Sequence, residues 1–181
     1  MSEATPTYIT FTAGVTADSV QRLLAAVDAA ATAAPQVHLL FASPGGNINS
    51  GLTAYHLLRA MPTELVTYNA GSVASIAVIM YLAGVRRYVA RRAKFLTHGS
   101  AWTFTTPLQE KQLRQYLAAA VADNALMAGV IADQTRINYE DAHALLASEH
   151  VKNAECAVAD GFAHEIRDPA IPQGARTVII A

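Results

Sequence analysis

Short β-prone runs alternate with helical segments through the first hundred residues of this chain. The runs 7–11, 37–41 and 65–68 are rich in β-branched and aromatic residues, and apolar residues at helical spacing follow each run. This alternation predicts an α/β sheet whose parallel strands are joined by helical crossovers. Sites in such sheets form at the carboxyl ends of the strands. Three loops meet that description: 43–47, 69–75 and the one that begins at His98.

The composition narrows the possible classes of protein. With 52% hydrophobic residues, we expect apolar surface to be buried between subunits. A formal net charge of -1 gives no basis for binding nucleic acid or an anionic membrane. The single cysteine, Cys156, permits no intrachain disulfide. Without a signal-peptide pattern, and with an apolar run at 76–85 too short to span a bilayer, residues 1–181 are predicted to form one cytoplasmic domain.

The segment 71–75, Gly-Ser-Val-Ala-Ser, joins a predicted strand to the apolar run 76–84. Such a turn can place a hydroxyl beside the free N–H groups at the start of a helix. Acyl transfer needs this combination of a nucleophile and donors that hold an oxyanion. The alternative is that Ser72 or Ser75 only caps the helix that follows.

Two further features lie at predicted strand ends. Ser43-Pro44-Gly45-Gly46 follows a buried strand, and adjacent glycines permit backbone conformations that point N–H groups into a cleft; the alternative is an ordinary turn. His98 ends a strand, where an imidazole can serve as a general base. We expect His38 at the edge of its strand, without a role. The remaining histidines lack metal-ligand spacing, so neither a metal nor a cofactor is expected.

A long helical segment is predicted from Leu108 through Asp133. It is alanine-rich and longer than most helices of compact domains, so we expect it to project and pack on another subunit. Shorter helices are predicted at 139–146 and after Asn153. The tail 177–180 predicts an edge strand or a subunit contact.

Several of these motifs occur in the order found in one known family. The family's N-S-P-G-G segment is similar to 41–46, its nucleophile turn G-x-A-A-S to 71–75, its R-x-M-I-H strand to 94–98, and its S-A-x-E-A helix to 153–157. The chain therefore resembles the Clp protease proteolytic subunit (ClpP) from roughly Thr7 to Ile166. This resemblance implies the ClpP/crotonase-like fold, with repeated β-β-α units and a projecting handle helix in the region of about 108–150.

The resemblance also implies roles for individual residues. Ser75 corresponds to the nucleophile and His98 to the general base, while the backbone N–H groups of Gly46 and Ile76 would hold the oxyanion. The family's third residue is an aspartate, and the corresponding position here is Glu149. A glutamate can orient an imidazolium as aspartate does. The alternative is that Glu149 is a solvated loop carboxylate.

The implied function is a serine endopeptidase that cleaves peptides or unfolded proteins inside a homo-oligomeric ring, heptameric and stacked as a double ring in the family. An AAA+ ATPase unfoldase is the implied partner, but the family's N-terminal docking segment is essentially missing before Thr7. Two further departures are Gly99-Ser100, where the family has Q-P, and Ser148, where it has arginine. The alternatives are a degenerate, non-catalytic subunit of a mixed ring and a crotonase-like acyl-CoA enzyme.

Overall fold

A parallel β-sheet flanked by helices forms the body of the protein in a computed structural model that describes residues 6–181. The strands are β1 (Thr7–Phe11), β2 (Gln36–Phe41), β3 (Glu64–Asn69), β4 (Ser72–Ala74), β5 (Arg86–Val89), β6 (Lys94–Thr97), β7 (His150–Lys152), β8 (Glu165–Ile166) and β9 (Arg176–Ile180). The helices are α1 (Ala17–Ala31), α2 (Ile48–Ala60), α3 (Ile76–Tyr81), α4 (Glu110–Gln134), α5 (Tyr139–Ala147) and α6 (Ala154–Ala159). The expectations about a signal peptide and a docking segment concern an N-terminus whose first five residues lie outside this range.

The large sheet has the strand order β8-β5-β3-β2-β1-β9, and all its pairings are parallel. This confirms the predicted α/β class with parallel crossovers. The tail forms β9 and pairs with β1 from Thr7↔Arg176 to Phe11↔Ile180, which confirms the predicted edge strand. A second, smaller sheet has the order β4-β6-β7, in which β4 directly follows β3 and β6 directly follows β5 along the chain.

Two apolar layers lie on opposite faces of the large sheet. The main core packs α1, α2 and α3 against one face and includes Phe11, Phe41 and Tyr81, each fully buried. A smaller cluster covers the other face and consists of Tyr8, Leu40, Val66, Tyr68 and Tyr88.

The expected position of His38 at an edge was wrong, because β2 is an interior strand and the imidazole is 9% exposed. Its ring stacks on Tyr8 with centroids 4.5 Å apart. Its two nitrogens lie 3.2 Å from the hydroxyl of Tyr68 and 2.8 Å from Oε1 of Gln36. Burial lowers the pKa of His38, an effect that the nearby carboxylate of Glu64 partly opposes.

A buried arginine joins the body to the long helix. The side chain of Arg87 on β5 has no carboxylate partner within residues 6–181 and instead donates hydrogen bonds to four main-chain oxygens. These carbonyls belong to Gly84, Gln134, Gly161 and Phe162. The guanidinium therefore connects the last turn of α4 to the segments that follow α3 and α6.

The handle helix α4 is largely uncovered. Only Met127, Ala128, Val130 and Ile131 near its carboxyl end are buried. Large apolar side chains along the rest of it are exposed, among them Leu113, Leu117, Val121 and Leu126. By length and composition alone α4 could cross a membrane, but one such helix is weak evidence for a span. The predicted packing of this helix on another subunit would also cover these side chains.

Candidate functional site

The small sheet brings the predicted site residues to neighbouring strand ends. Strands β4 and β6 pair in parallel with Ala74 opposite Leu96, and the N–H of Ser75 donates to the carbonyl of Leu96 over 2.8 Å. Ser75 therefore leaves the carboxyl end of β4 beside the end of β6, and His98 directly follows β6. Sequence analysis predicted the strand that ends at His98, but it placed Ser75 in a turn after the strand 65–68 and missed the strand 72–74, because Gly71 and Ser72 are typical turn residues.

Ser75 has an unusual backbone conformation, with φ 55° and ψ −135°. This is close to the mirror image of extended backbone, which glycine adopts readily and other residues avoid. Holding a non-glycine residue there costs about 1–3 kcal/mol. The Ser75 side chain makes no capping hydrogen bond to α3, although the residue occupies the N-cap position. The capping alternative therefore does not account for this serine.

Two glycines from the 43–46 loop lie against the serine turn. A Cβ built on Gly45 would come within 2.6 Å of Cβ of Ser75, and Gly45 has φ +91°. Gly46 is fixed from its other side by Val15, whose N–H donates to the Gly45 carbonyl over 2.7 Å and whose carbonyl accepts from Asn47 over 2.7 Å. These hydrogen bonds use the carbonyl oxygen of Gly45 and the N–H of Asn47, the residues on either side of Gly46. Within residues 6–181 they leave the N–H of Gly46 without a protein acceptor.

The imidazole of His98 is half-buried and held by the main chain. Its Nδ1 lies 2.7 Å from the carbonyl oxygen of Gly99. Because a carbonyl only accepts, Nδ1 carries the proton and Nε2 keeps its lone pair in the neutral ring. Nε2 is therefore the basic nitrogen, as a general base for a hydroxyl requires.

Glu149 lies next to His98 in the strand register but is not bonded to it. Strand β7 runs antiparallel to β6 with Thr97 opposite His150, so the next pair outward would be His98 and Glu149. The Glu149 side chain is exposed, its φ is 47°, and among the described residues it makes no hydrogen bond or ion pair. Ser75, Ile76 and His98 thus lie at the neighbouring ends of β4 and β6, with Gly46 in the loop that packs against Ser75. Glu149 lies at the solvent-exposed edge of this site.

Sequence analysis did not single out Asn124, which contacts the loop that carries His98. Its Oδ1 accepts the N–H of Ser100 over 2.7 Å. Nothing in the sequence distinguishes Asn124 from the other polar residues of α4, such as Asp123 beside it. Within the described range 6–181, no group of three or more His, Cys, Asp or Glu side chains is arranged to hold a metal ion.

The fold is that of ClpP. A solved structure of a single-site mutant of ClpP1 from Listeria monocytogenes superposes with a TM-score of 0.76 at 16% identity, covering 90% of this chain and 91% of that one. The family model for Clp protease matches residues 6–170. The chain therefore belongs to the Clp protease family, which confirms the resemblance inferred from the motifs.

Similar curated proteins carry the name ATP-dependent Clp protease proteolytic subunit 1. The one from Leifsonia xyli subsp. xyli is 33% identical over 64 residues, covering 34% of this chain and 32% of the relative. The one from Mycobacterium bovis is 35% identical over 78 residues, covering 42% and 37%. The matched segments thus span about a third of the length of these relatives.

Proposed function

We propose that the protein is a serine endopeptidase of the ClpP type, with Ser75 as its nucleophile. The observation that carries the proposal is the strained backbone of Ser75 at φ 55° and ψ −135°, between a strand and a helix, with a hydroxyl that caps nothing. A strained strand-to-helix turn is how α/β-hydrolases expose a nucleophilic serine. Strain of this kind is kept where surrounding structure or function requires it.

The remaining roles are proposed from the correspondence with the family and from the neighbouring ends of β4 and β6. Nε2 of His98 takes the hydroxyl proton as Oγ attacks a peptide carbonyl, and the N–H groups of Gly46 and Ile76 stabilise the oxyanion. His98 then gives that proton to the leaving amine, which breaks the C–N bond and leaves an acyl-enzyme. A water molecule attacks the ester as His98 takes its proton; the C–Oγ bond then breaks, His98 returns the proton to Oγ of Ser75, and the acid departs.

Glu149 is the proposed third member of the site. Nδ1 of His98 is already hydrogen-bonded to the carbonyl of Gly99. The carboxylate of Glu149 would therefore act through its negative charge, which favours the imidazolium formed during proton transfer. The mechanism requires no metal or organic cofactor.

Family membership supports a ring of identical subunits as the working form. We propose a heptameric ring, stacked with a second ring, whose chamber admits peptides and unfolded proteins. The exposed apolar side chains of α4 are suited to a subunit contact. An AAA+ ATPase would supply unfolded substrate, and the proposed location is the cytoplasm.

One observation favours a second candidate, a non-catalytic subunit of a mixed ring. The exposed side chain of Glu149 makes no hydrogen bond or ion pair with His98, so its effect on the imidazolium would be weakened by solvent screening. Such a chain would assemble but would cleave peptides only together with an active paralogue.

A fluorophosphonate probe tests the nucleophile, because it forms a covalent bond with an activated serine. We expect labelling of the wild type and of Ser72→Ala, a matched control in the same turn, and no labelling of Ser75→Ala. Equal labelling of the two alanine variants would remove Ser75 from the role. An unlabelled wild type that forms rings and cleaves no small peptide would favour the non-catalytic subunit.

A further inference from the structure

We propose that Asn124 on α4 is a positioning residue for His98 and acts through the peptide group that joins Gly99 to Ser100. The inference rests on the proposed function, in which His98 is the general base. It adds a residue from the handle helix to the support of the imidazole.

Both ends of this peptide group are hydrogen-bonded. Its carbonyl oxygen, that of Gly99, accepts from Nδ1 of His98 over 2.7 Å. Its N–H, that of Ser100, donates to Oδ1 of Asn124 over 2.7 Å. The peptide is trans, so the carbonyl and the N–H point in opposite directions. The imidazole and the amide therefore lie on opposite sides of a single planar group that connects them.

The preceding peptide group, which joins His98 to Gly99, is also held by a hydrogen bond. The N–H of Gly99 donates to the carbonyl of Leu146, near the carboxyl end of α5, over 2.8 Å. A Cβ added to Gly99 would lie 3.1 Å from both Nδ2 and Oδ1 of Asn124. This is tighter than ordinary van der Waals contact, so the absence of a side chain lets the main chain lie directly against the amide.

The consequence for His98 is both geometric and electrostatic. The loop between β6 and α4 has no regular structure of its own, and Asn124 ties its first residues to a long helix. Hydrogen bonds in series polarise one another, so donation to Asn124 makes the Gly99 carbonyl a stronger acceptor for Nδ1–H. A stronger acceptor keeps the ring in the tautomer with a basic Nε2 and favours the imidazolium that forms in the transition state.

Three variants separate this role from simple packing. Asn124→Leu keeps the size of the side chain and removes the acceptor, whereas Asn124→Asp restores an acceptor at the same place. Ser100→Ala is the matched control, because it keeps the backbone N–H and removes only the weak contact of its hydroxyl with Asp123 at 3.4 Å. Each is assayed as the full chain for the rate of fluorophosphonate labelling, for kcat and KM on a short fluorogenic peptide, and for assembly by sedimentation velocity.

We expect kcat and the labelling rate of Asn124→Leu to fall about 3- to 10-fold with KM unchanged, the factor that one hydrogen bond commonly supplies. Asn124→Asp and Ser100→Ala should stay within about twofold of the wild type. Three results would overturn the inference: wild-type rates for Asn124→Leu, equal loss in the leucine and aspartate variants, or loss in Ser100→Ala as large as in Asn124→Leu.

A second route covers the case in which Asn124→Leu disturbs folding or assembly. Ser100→Pro deletes the donor of the same hydrogen bond and leaves Asn124 intact, so it should reproduce the loss of kcat. Wild-type kcat in Ser100→Pro would overturn the inference and leave the proposed peptidase standing. A wild type that neither reacts with the probe nor cleaves peptide would overturn the peptidase proposal itself, and the inference with it.

Discussion

Replacing Arg87 with methionine measures how strongly the handle helix is joined to the body. Methionine keeps much of the apolar stem and supplies no donor. Four hydrogen bonds would be lost, to the carbonyls of Phe162 at 2.8 Å, Gly84 at 3.1 Å, Gln134 at 2.6 Å and Gly161 at 3.1 Å. An unpaired buried acceptor costs about 1 kcal/mol or more. Part of this is offset because a guanidinium no longer has to be desolvated, and burial does lower the pKa of Arg87.

We therefore expect the free energy of unfolding to fall by about 3 kcal/mol. Urea unfolding followed by circular dichroism, at one fixed protein concentration, measures this loss. With a slope of about 2 kcal/mol per molar urea, the midpoint should move by about 1.5 M.

The neighbouring Arg86 provides a matched control. Its side chain is 59% exposed and forms an ion pair with Glu64 at 2.8 Å. Such exposed pairs contribute less than about 1 kcal/mol, so Arg86→Met should change the midpoint little. A loss in Arg87→Met no larger than in Arg86→Met would refute the reasoning that the buried carbonyls depend on this guanidinium.

Two further predictions concern backbone strain and pH. Ser75→Gly should raise the free energy of unfolding by about 1 kcal/mol relative to Ser75→Ala, because glycine adopts the backbone conformation at φ 55° without strain; equal urea midpoints would contradict this. Burial lowers the pKa of His38, so the unfolded chain binds the proton more tightly than the folded one. The contribution of His38 to stability is therefore complete above the ordinary pKa of 6.5 and is lost as the pH falls through the lower folded value. Burial also lowers the pKa of His164, so that residue changes stability with pH in the same direction. The test therefore compares wild type with His38→Gln and measures how much stability each loses between about pH 7.5 and about pH 5.5. Equal losses in the two proteins would contradict the assignment to His38.

The parallel sheet could be predicted because its strands are buried on both faces. Runs such as 37–41 are then almost continuously apolar, and helices carry clear capping residues, with Thr16 at the N-cap of α1 and Asn153 at the N-cap of α6. Short exposed strands leave no such pattern. Strand β7 was missed because it has only three residues and its Val151 is exposed.

The sequence predicts the parts of the site that depend on the order of strands and loops along the chain. His98 ends a predicted strand and Ser75 lies in the turn predicted between the strand 65–68 and the following helix, so both loops of the site were accessible from the sequence. The strain at Ser75 was not accessible, because serine gives no local signal for a backbone that glycine prefers. The contact of Asn124 with Ser100 joins residues that are 24 positions apart, and only the packing of the handle on the His98 loop creates it.

The backbone of Ser75 also bears on how a chain like this would evolve. The strain of about 1–3 kcal/mol is present in every molecule at all times, whether or not a peptide is being cut. Since natural proteins lie only slightly above the stability they need, a change that relieves such strain is readily accepted once nothing opposes it. A subunit freed from chemistry would be expected to drift toward glycine at this position within few substitutions. A lineage that keeps serine at position 75 does without that gain in stability. Selection for peptide cleavage would explain why the serine is kept.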